Sequence, residues 1–385
     1  MALPISYNIR NLRIRWQVTL LSIIGIAMVV AVFVVLAAMA SGFRTALRST
    51  GRPDNAIVLQ KGSTSEITSG VPRDDTELMS VDDRIARDTD GQPLVSREIA
   101  LVASLPRNDG VDVNVMLRGV MPRSFNVRGP VQIVDGRRMT PGLYEIIVGT
   151  RVREKYGLEI GRSLKLQRKD WKVVGVFSAD GSGFESEIWA DLDVLAPAFN
   201  RVGGYQSVVM RMKDPATFPA LAKSIETNPA FQVSVKREVE FYDAQAGPTA
   251  TMLMALAWLV SVIMSIGAVL GAMNTMYAIV AARTREIGTL RALGFSRRSV
   301  LISFLLESVF LAGIGGLLGC LVALPANGFS ASVGAAFSDL AFAFRVTPTA
   351  LTIGMTFALI MGFVGGALPA IRAARLPITT ALRAS

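Results

Sequence analysis

Four stretches of this chain carry no charged residue, at 18–40, 244–282, 308–338 and 346–371. A helix needs about 20 predominantly apolar residues to cross a hydrocarbon core roughly 30 Å thick, and each run is long enough. The pattern therefore predicts four transmembrane helices. The second run exceeds what a bilayer requires, since its 39 residues would extend about 58 Å as a helix. Its surplus is expected to leave the membrane as a helical stalk, starting at Gly247–Pro248 because proline is tolerated in a first helical turn.

Between the first and second runs the period changes. Short β-branched segments at 56–59, 111–117, 146–148, 171–177, 207–210 and 231–235 read as strands, and 193–199 and 215–227 read as helices. The polar stretch 61–80 (KGSTSEITSGVPRDDTELMS) reads as an exposed loop, and 180–184 (DGSGF) as a surface turn. The fold class is an α-helical membrane protein: four transmembrane helices plus a large mixed α/β extracytoplasmic domain inserted between helices 1 and 2. Strands on both sides of a surface helix suggest more than one subdomain in it, and no internal repeat is visible. Ahead of the first span, Ile5, Ile9, Leu12 and Trp16 recur at helical spacing and predict an interfacial lead-in helix. The first run is about twice the length of a signal-peptide core, so an uncleaved helix is expected.

Charge supplies the orientation. The net charge is +10, and it resides in three short membrane-flanking segments. Residues 1–17 carry +3, 283–298 carry +4 and 372–385 carry +3, whereas 41–243 balance 28 basic against 27 acidic residues. Short basic flanks stay in the cytoplasm and long domains translocate largely regardless of charge. The chain thus divides into a cytoplasmic lead-in (1–17), the first span and stalk (18–42), an external α/β domain (43–244) and a stalk with the second span (245–282). A cytoplasmic loop (283–298), the third span (299–325), a short external loop (326–345), the fourth span (346–371) and a cytoplasmic tail (372–385) follow. Topology accounts for the basic excess, so nucleic acid is not an expected partner.

Composition excludes several chemistries. There is no histidine, and the single cysteine, Cys320, falls in the third apolar run. Imidazole triads and histidine metal sites are ruled out, and the external domain has no disulfide. No catalytic or metal-binding residues are expected. Glu307 is the only acid inside a span. With no second carboxylate beside it, a structural hydrogen bond to a neighbouring helix is a better reading than a proton relay. The pairs Gly267/Gly271, Gly315/Gly319 and Gly362/Gly366 stand four apart, a spacing that lets helix backbones approach closely in lipid.

The loop 283–298 (RTREIGTLRALGFSRR) carries five arginines and one glutamate between two greasy runs. Ile287, Leu290 and Leu293 continue an apolar edge, Gly294 suits a left-handed helix stop, and Ser296 can cap the next helix. A bland flank would need arginines alone, so this loop is built to contact protein. The stretch 274–294 (NTMYAIVAARTREIGTLRALG) resembles the signature of FtsX- and MacB-type permeases of ABC transporters. The third span with Glu307 and the tail PAIRAARLPITTALR are also similar, and the resemblance extends over nearly the whole chain.

That resemblance implies a coupling helix seated in a groove of a separate ABC ATPase subunit. It carries the interface onto Arg283, Arg285, Glu286, Ile287, Gly288, Leu290, Arg291, Ala292, Leu293 and Gly294. Phe295, where relatives often have a small residue, departs from the pattern. The sequence contains no G-x-x-x-x-G-K-[ST] phosphate loop, so no cofactor is expected on this chain, with ATP and Mg on the partner ATPase. The expected protein is a non-catalytic permease subunit of the bacterial inner membrane, paired with a second copy by two-fold symmetry. A periplasmic adaptor protein, an outer-membrane channel and membrane lipid complete the expected partners. An FtsX-like subunit that signals to a cell-wall hydrolase is the alternative.

Overall fold

The structure, a computed structural model, describes residues 16–106, 112–335 and 338–377. The expected lead-in helix, with Ile5, Ile9 and Leu12, and the tail beyond residue 377 lie outside the described residues.

Four helices are long and apolar enough to cross a membrane. They are α1 (Trp16–Arg48), α2 (Glu238–Ala282), α4 (Arg297–Ala323) and α5 (Pro348–Arg375), with the short α3 (Thr284–Ala292) between α2 and α4. The chain divides into two compact units, a helical one (1–41, 251–329 and 344–385) and an α/β one (42–250 and 330–343). Helix α2 belongs to both, without interruption over 45 residues. It begins at Glu238, nine positions ahead of Gly247 in the expected start at Gly247–Pro248, and Pro248 sits inside it. The start is set by Glu238 itself, whose carboxylate accepts from the backbone N–H of Arg52 at 2.9 Å and from Asn55 Nδ2 at 2.8 Å.

Inside the helical unit, glycines determine the approach of α4 to α1 and α5. A Cβ on Gly319 would stand 2.5 Å from the Ala27 carbonyl oxygen, and one on Gly315 3.0 Å from that of Ile23. Likewise a Cβ on Gly362 would meet Ala312 at 2.3 Å, and one on Gly366 would meet Ser308 at 2.5 Å. Ser308 exploits this closeness by donating to the Gly362 carbonyl at 2.7 Å. Gly267 and Gly271 differ from the other two pairs. They face outward on α2 with nothing within 4 Å of a built Cβ, so they pack no helix among the described residues.

The α/β unit is built on ten strands: β1 (Asn55–Gln60), β2 (Val95–Pro106), β3 (Asp112–Val120), β4 (Gln132–Gly136), β5 (Glu145–Gly149), β6 (Ser163–Leu166), β7 (Lys169–Ser178), β8 (Glu187–Asp191), β9 (Ser207–Arg211) and β10 (Val233–Arg237). They form one sheet in the order β10-β1-β9-β2-β3-β8-β5-β7-β4, with β6 added to β7. Neighbours are antiparallel except β3 with β8 and β5 with β7. Alternation sends Ala56, Val58, Ile146 and Val148 to one core and Ile57, Leu59 and Ile147 to the other face, so both faces are covered. One ten-stranded sheet thus runs through the unit, with two small two-stranded ones beside it.

Two segments read as loops are not loops. Residues 326–345 contain the hairpin β11 (Ser330–Ala335) and β12 (Ser338–Ala343), which belongs to the α/β unit. Lys155 forms an ion pair with Asp339 and reaches Ser332 Oγ at 2.7 Å, and Phe342 packs edge-on against Phe43. Residues 61–80 contain a strand pair partner (Val71–Pro72) and a helix (Arg73–Met79), and they bury Glu66. The 180–184 turn is likewise not a surface feature: Asp180 is exposed with φ 51°, but Gly183 and Phe184 are buried.

Candidate functional site

The loop between α2 and α4 is a jointed hairpin. Helix α2 stops at Ala282, Arg283 leaves helical geometry with φ −105° and ψ 12°, and α3 follows. The helix of the second span ends at this residue, and α3 is a separate short helix. Arg283 Nη1 donates to Glu307 Oε2 on α4 at 3.0 Å, Nε lies 3.3 Å from Glu286, and the guanidinium stands 5.2 Å from the Phe304 ring centroid. Glu307 is 3% exposed and Arg283 only 11% by side chain. An ion pair sheltered to this degree fixes geometry more than it adds stability, because desolvation offsets most of the attraction. Glu307 therefore does make a structural bond, and its partner is the arginine at the joint.

The far end of α3 closes with a Schellman motif. Gly294 has φ +94°, Phe295 N–H donates to the Leu290 carbonyl at 3.1 Å and Gly294 N–H to that of Arg291 at 3.2 Å. Ser296 Oγ then accepts from Ser299 N–H at 3.1 Å and caps α4. Arg291 Nη1 donates to the carbonyl oxygens of Ala374 and Leu376, at 3.2 and 3.0 Å, where α5 ends. That satisfies orphan carbonyls at a negative helix pole.

These contacts divide the ten interface candidates. Arg283 and Arg291 are spent inside the chain, and Ile287 and Gly288 are buried, Ile287 in a cluster with Met276, Val300, Phe304 and Ala373. Leu290 is half-buried. Arg285, Glu286, Ala292, Leu293 and Gly294 remain exposed, Leu293 at 74%. Inward residues set the posture of α3, and outward ones form the surface it offers.

Sequence reasoning missed a second feature entirely. A wholly buried ion network crosses one face of the sheet on four adjacent strands: Ser207 (β9), Glu98 (β2), Arg118 (β3) and Glu187 (β8). Ser207 stands directly opposite Glu98. Arg118 pairs with Ala100 and with Trp189, each two residues along from the glutamate of its strand, so all four side chains share a face. Glu66, Arg128, Glu238 and Tyr242 close over them. Arg118 donates all five N–H groups, to Glu187, Glu66 and Glu98, at 2.7–3.1 Å. Arg128 likewise spends all five on Glu98, Glu66, Glu238 and Tyr242. The Phe184 ring lies 5.3 and 5.2 Å from the two guanidinium carbons. Through Glu238 and Tyr242 the first turns of α2 are bonded to the centre of the sheet.

Burial alone would push the Glu66 carboxyl up, but Arg118 and Arg128 beside it hold it down at about 2. Glu98 is lowered against its burial by the same two cations. Carboxylates depressed on folding contribute stability that is present above their ordinary value and lost as pH falls toward the folded one. The α/β unit is thus expected to loosen as pH drops from 4.5 toward about 2. Near-ultraviolet circular dichroism of the buried Trp171 and Trp189 reports this directly, and a signal flat down to pH 2 would contradict it.

Comparison with known proteins places the chain. The MacB-like periplasmic core domain matches residues 19–228, and the FtsX-like permease C-terminal domain matches 258–378. The chain belongs to the MacB/FtsX-type permease family. The macrolide export ATP-binding/permease protein MacB of Bdellovibrio bacteriovorus is 26% identical over 399 residues, covering 94% of this chain and 59% of that protein. A pyoverdine export ATP-binding/permease protein, PvdT of Pseudomonas fluorescens, is 26% identical over 403 residues, covering 94% of this chain and 56% of its own length. The chain spans less than three fifths of the length of these relatives. Among solved structures, the periplasmic region of MacB from Actinobacillus actinomycetemcomitans aligns with a TM-score of 0.39 at 10% identity, covering 52% of this chain and 96% of that one. The four apolar helices and this family membership make the chain a membrane permease component of ABC-transporter type.

Proposed function

We propose that this chain is the transmembrane subunit of a MacB-like ABC transporter in the bacterial inner membrane, with the α/β unit outside and α3 inside. An ABC ATPase subunit holds ATP and Mg and binds the exposed face of α3. Closure of that ATPase is transmitted to the external unit, which handles a small molecule for export, as the relatives' names suggest. The observation that supports this most is the construction of α2. Its first residues are hydrogen-bonded into the α/β unit through Glu238 and Tyr242, and its last abut the Arg283 joint. A helix fixed at one end and jointed at the other suits a push rod. A second copy completes the pair of sites that two ATPases present.

The test uses the chain co-purified with its ATPase in lipid nanodiscs. Replacing Leu293, the most exposed apolar residue of the loop, by aspartate should lower coupled ATP hydrolysis about tenfold, since a buried charge at an interface centre costs at least 1–2 kcal/mol. Unchanged hydrolysis with the complex intact would remove α3 from the interface.

A further inference from the structure

A cavity of about 450 Å³ opens within the α/β unit, directly over the ion network. That volume is within the range of roughly 300–1,000 Å³ typical of small-molecule sites. Its walls are mixed, with Leu47, Ile67, Met116, Phe241, Pro248 and Leu340 beside the neutral polar side chains of Thr64, Ser65 and Gln245. One wall is a face of α2, with Phe241, Gln245, Pro248 and Thr249 at helical spacing. Its floor is polar and consists of Glu66, Arg118, Glu187 and Tyr242.

The chemistry of the floor is one-sided. Every N–H of Arg118 and Arg128 is already committed, as is the Tyr242 hydroxyl, which donates to Glu66 at 3.3 Å. The floor has no free donor for an anion. It does have one spare acceptor, because Glu187 Oε1 receives a single bond, from Arg118 Nη2 at 2.8 Å. Formal charge points the same way, with four carboxylates (Glu66, Glu98, Glu187 and Glu238) against two guanidiniums. Lys236 also lines the cavity, half-buried and without an ion pair among the described residues. Counting it leaves the ensemble negative.

We propose that this cavity binds a small organic cation, an ammonium group carried on an apolar body. The ammonium donates to Glu187 Oε1, and the apolar body lies against α2 and Leu340. Because α2 forms one wall, occupancy bears on the position of that helix. The assignment stands on the cavity alone, independent of the export reading.

The test titrates the full chain in lipid nanodiscs with benzylammonium, benzoate and benzyl alcohol, three probes with one ring and different heads. Calorimetry, corrected with empty nanodiscs, should give benzylammonium binding about tenfold tighter than either other probe. Thr249→Trp, which places an indole in the cavity without touching the ion network, should abolish it, and Glu187→Gln should weaken it about tenfold. The ranking on the unaltered chain decides the head-group chemistry even if Glu187→Gln fails to fold. Benzoate binding as tightly as benzylammonium would make Lys236 the recognising group and overturn the proposal. So would the absence of benzylammonium binding, or binding unaffected by Thr249→Trp.

Discussion

Arg128→Met should cost the α/β unit about 3–5 kcal/mol, the usual penalty for removing one partner from a buried ion pair. Arg128 is fully buried and donates to three carboxylates and Tyr242. Methionine fills much of the volume but leaves Glu238 without its guanidinium partner and Glu98 with Arg118 alone. A single domain has only about 5–15 kcal/mol of stability in total, so this variant approaches unfolding near room temperature. Adding Glu238→Gln removes one surplus charge and should recover part of the loss. Limited proteolysis of the full chain in nanodiscs provides the readout. Resistance equal to that of the unaltered chain would mean that the network is incidental to the fold.

Glu307→Leu is expected to act at the other end of α2. The substitution removes the carboxylate that receives Arg283 Nη1, so the joint loses its charged contact with α4 and keeps the Phe304 ring. The helices remain packed through Gly315, Gly319, Gly362 and Gly366, and the protein should still insert. Coupled ATP hydrolysis should fall about tenfold, and Glu307→Gln, which keeps an acceptor, should lie between the two. A double-mutant cycle with Arg283→Met separates positioning from packing, with an expected interaction energy of about 0.5–3 kcal/mol. Additive effects would show that the pair does not act as one device.

Much of this architecture is legible in the sequence because lipid imposes strong constraints. Uncharged runs of sufficient length point to spanning helices, and a helix long and apolar enough to cross a membrane overlaps each of the four runs, although the end of the third run folds as a strand instead. Local caps are equally readable: Gly294 adopts its left-handed turn and Ser296 caps α4 because each follows from backbone geometry alone. What failed was long-range. Glu66 reads as loop polarity, because its partners Arg118 and Arg128 are 52 and 62 positions away. A signal did exist in the strands, where Glu98 and Arg118 interrupt β-branched alternation with charges that a sheet covered on both faces cannot leave unpaired. The 330–343 hairpin was missed for a similar reason, since its partners Lys155 and Phe43 lie far upstream. The Gly267/Gly271 spacing meets no helix among the described residues. Sequence separation also hid the joint at Arg283, which is held by Glu307 24 positions on.

The most direct test of the account is sidedness. In a Cys320→Ala background, a cysteine is placed at Leu293 or at Leu78, which are 74% and 64% exposed, and the chain is expressed without its ATPase. A membrane-impermeant maleimide is then applied to spheroplasts and to inverted inner-membrane vesicles. The account expects Leu78→Cys to react only in spheroplasts and Leu293→Cys only in inverted vesicles. Labelling of Leu293→Cys in intact spheroplasts would place α3 on the outer face, where no ATP-driven partner could reach it.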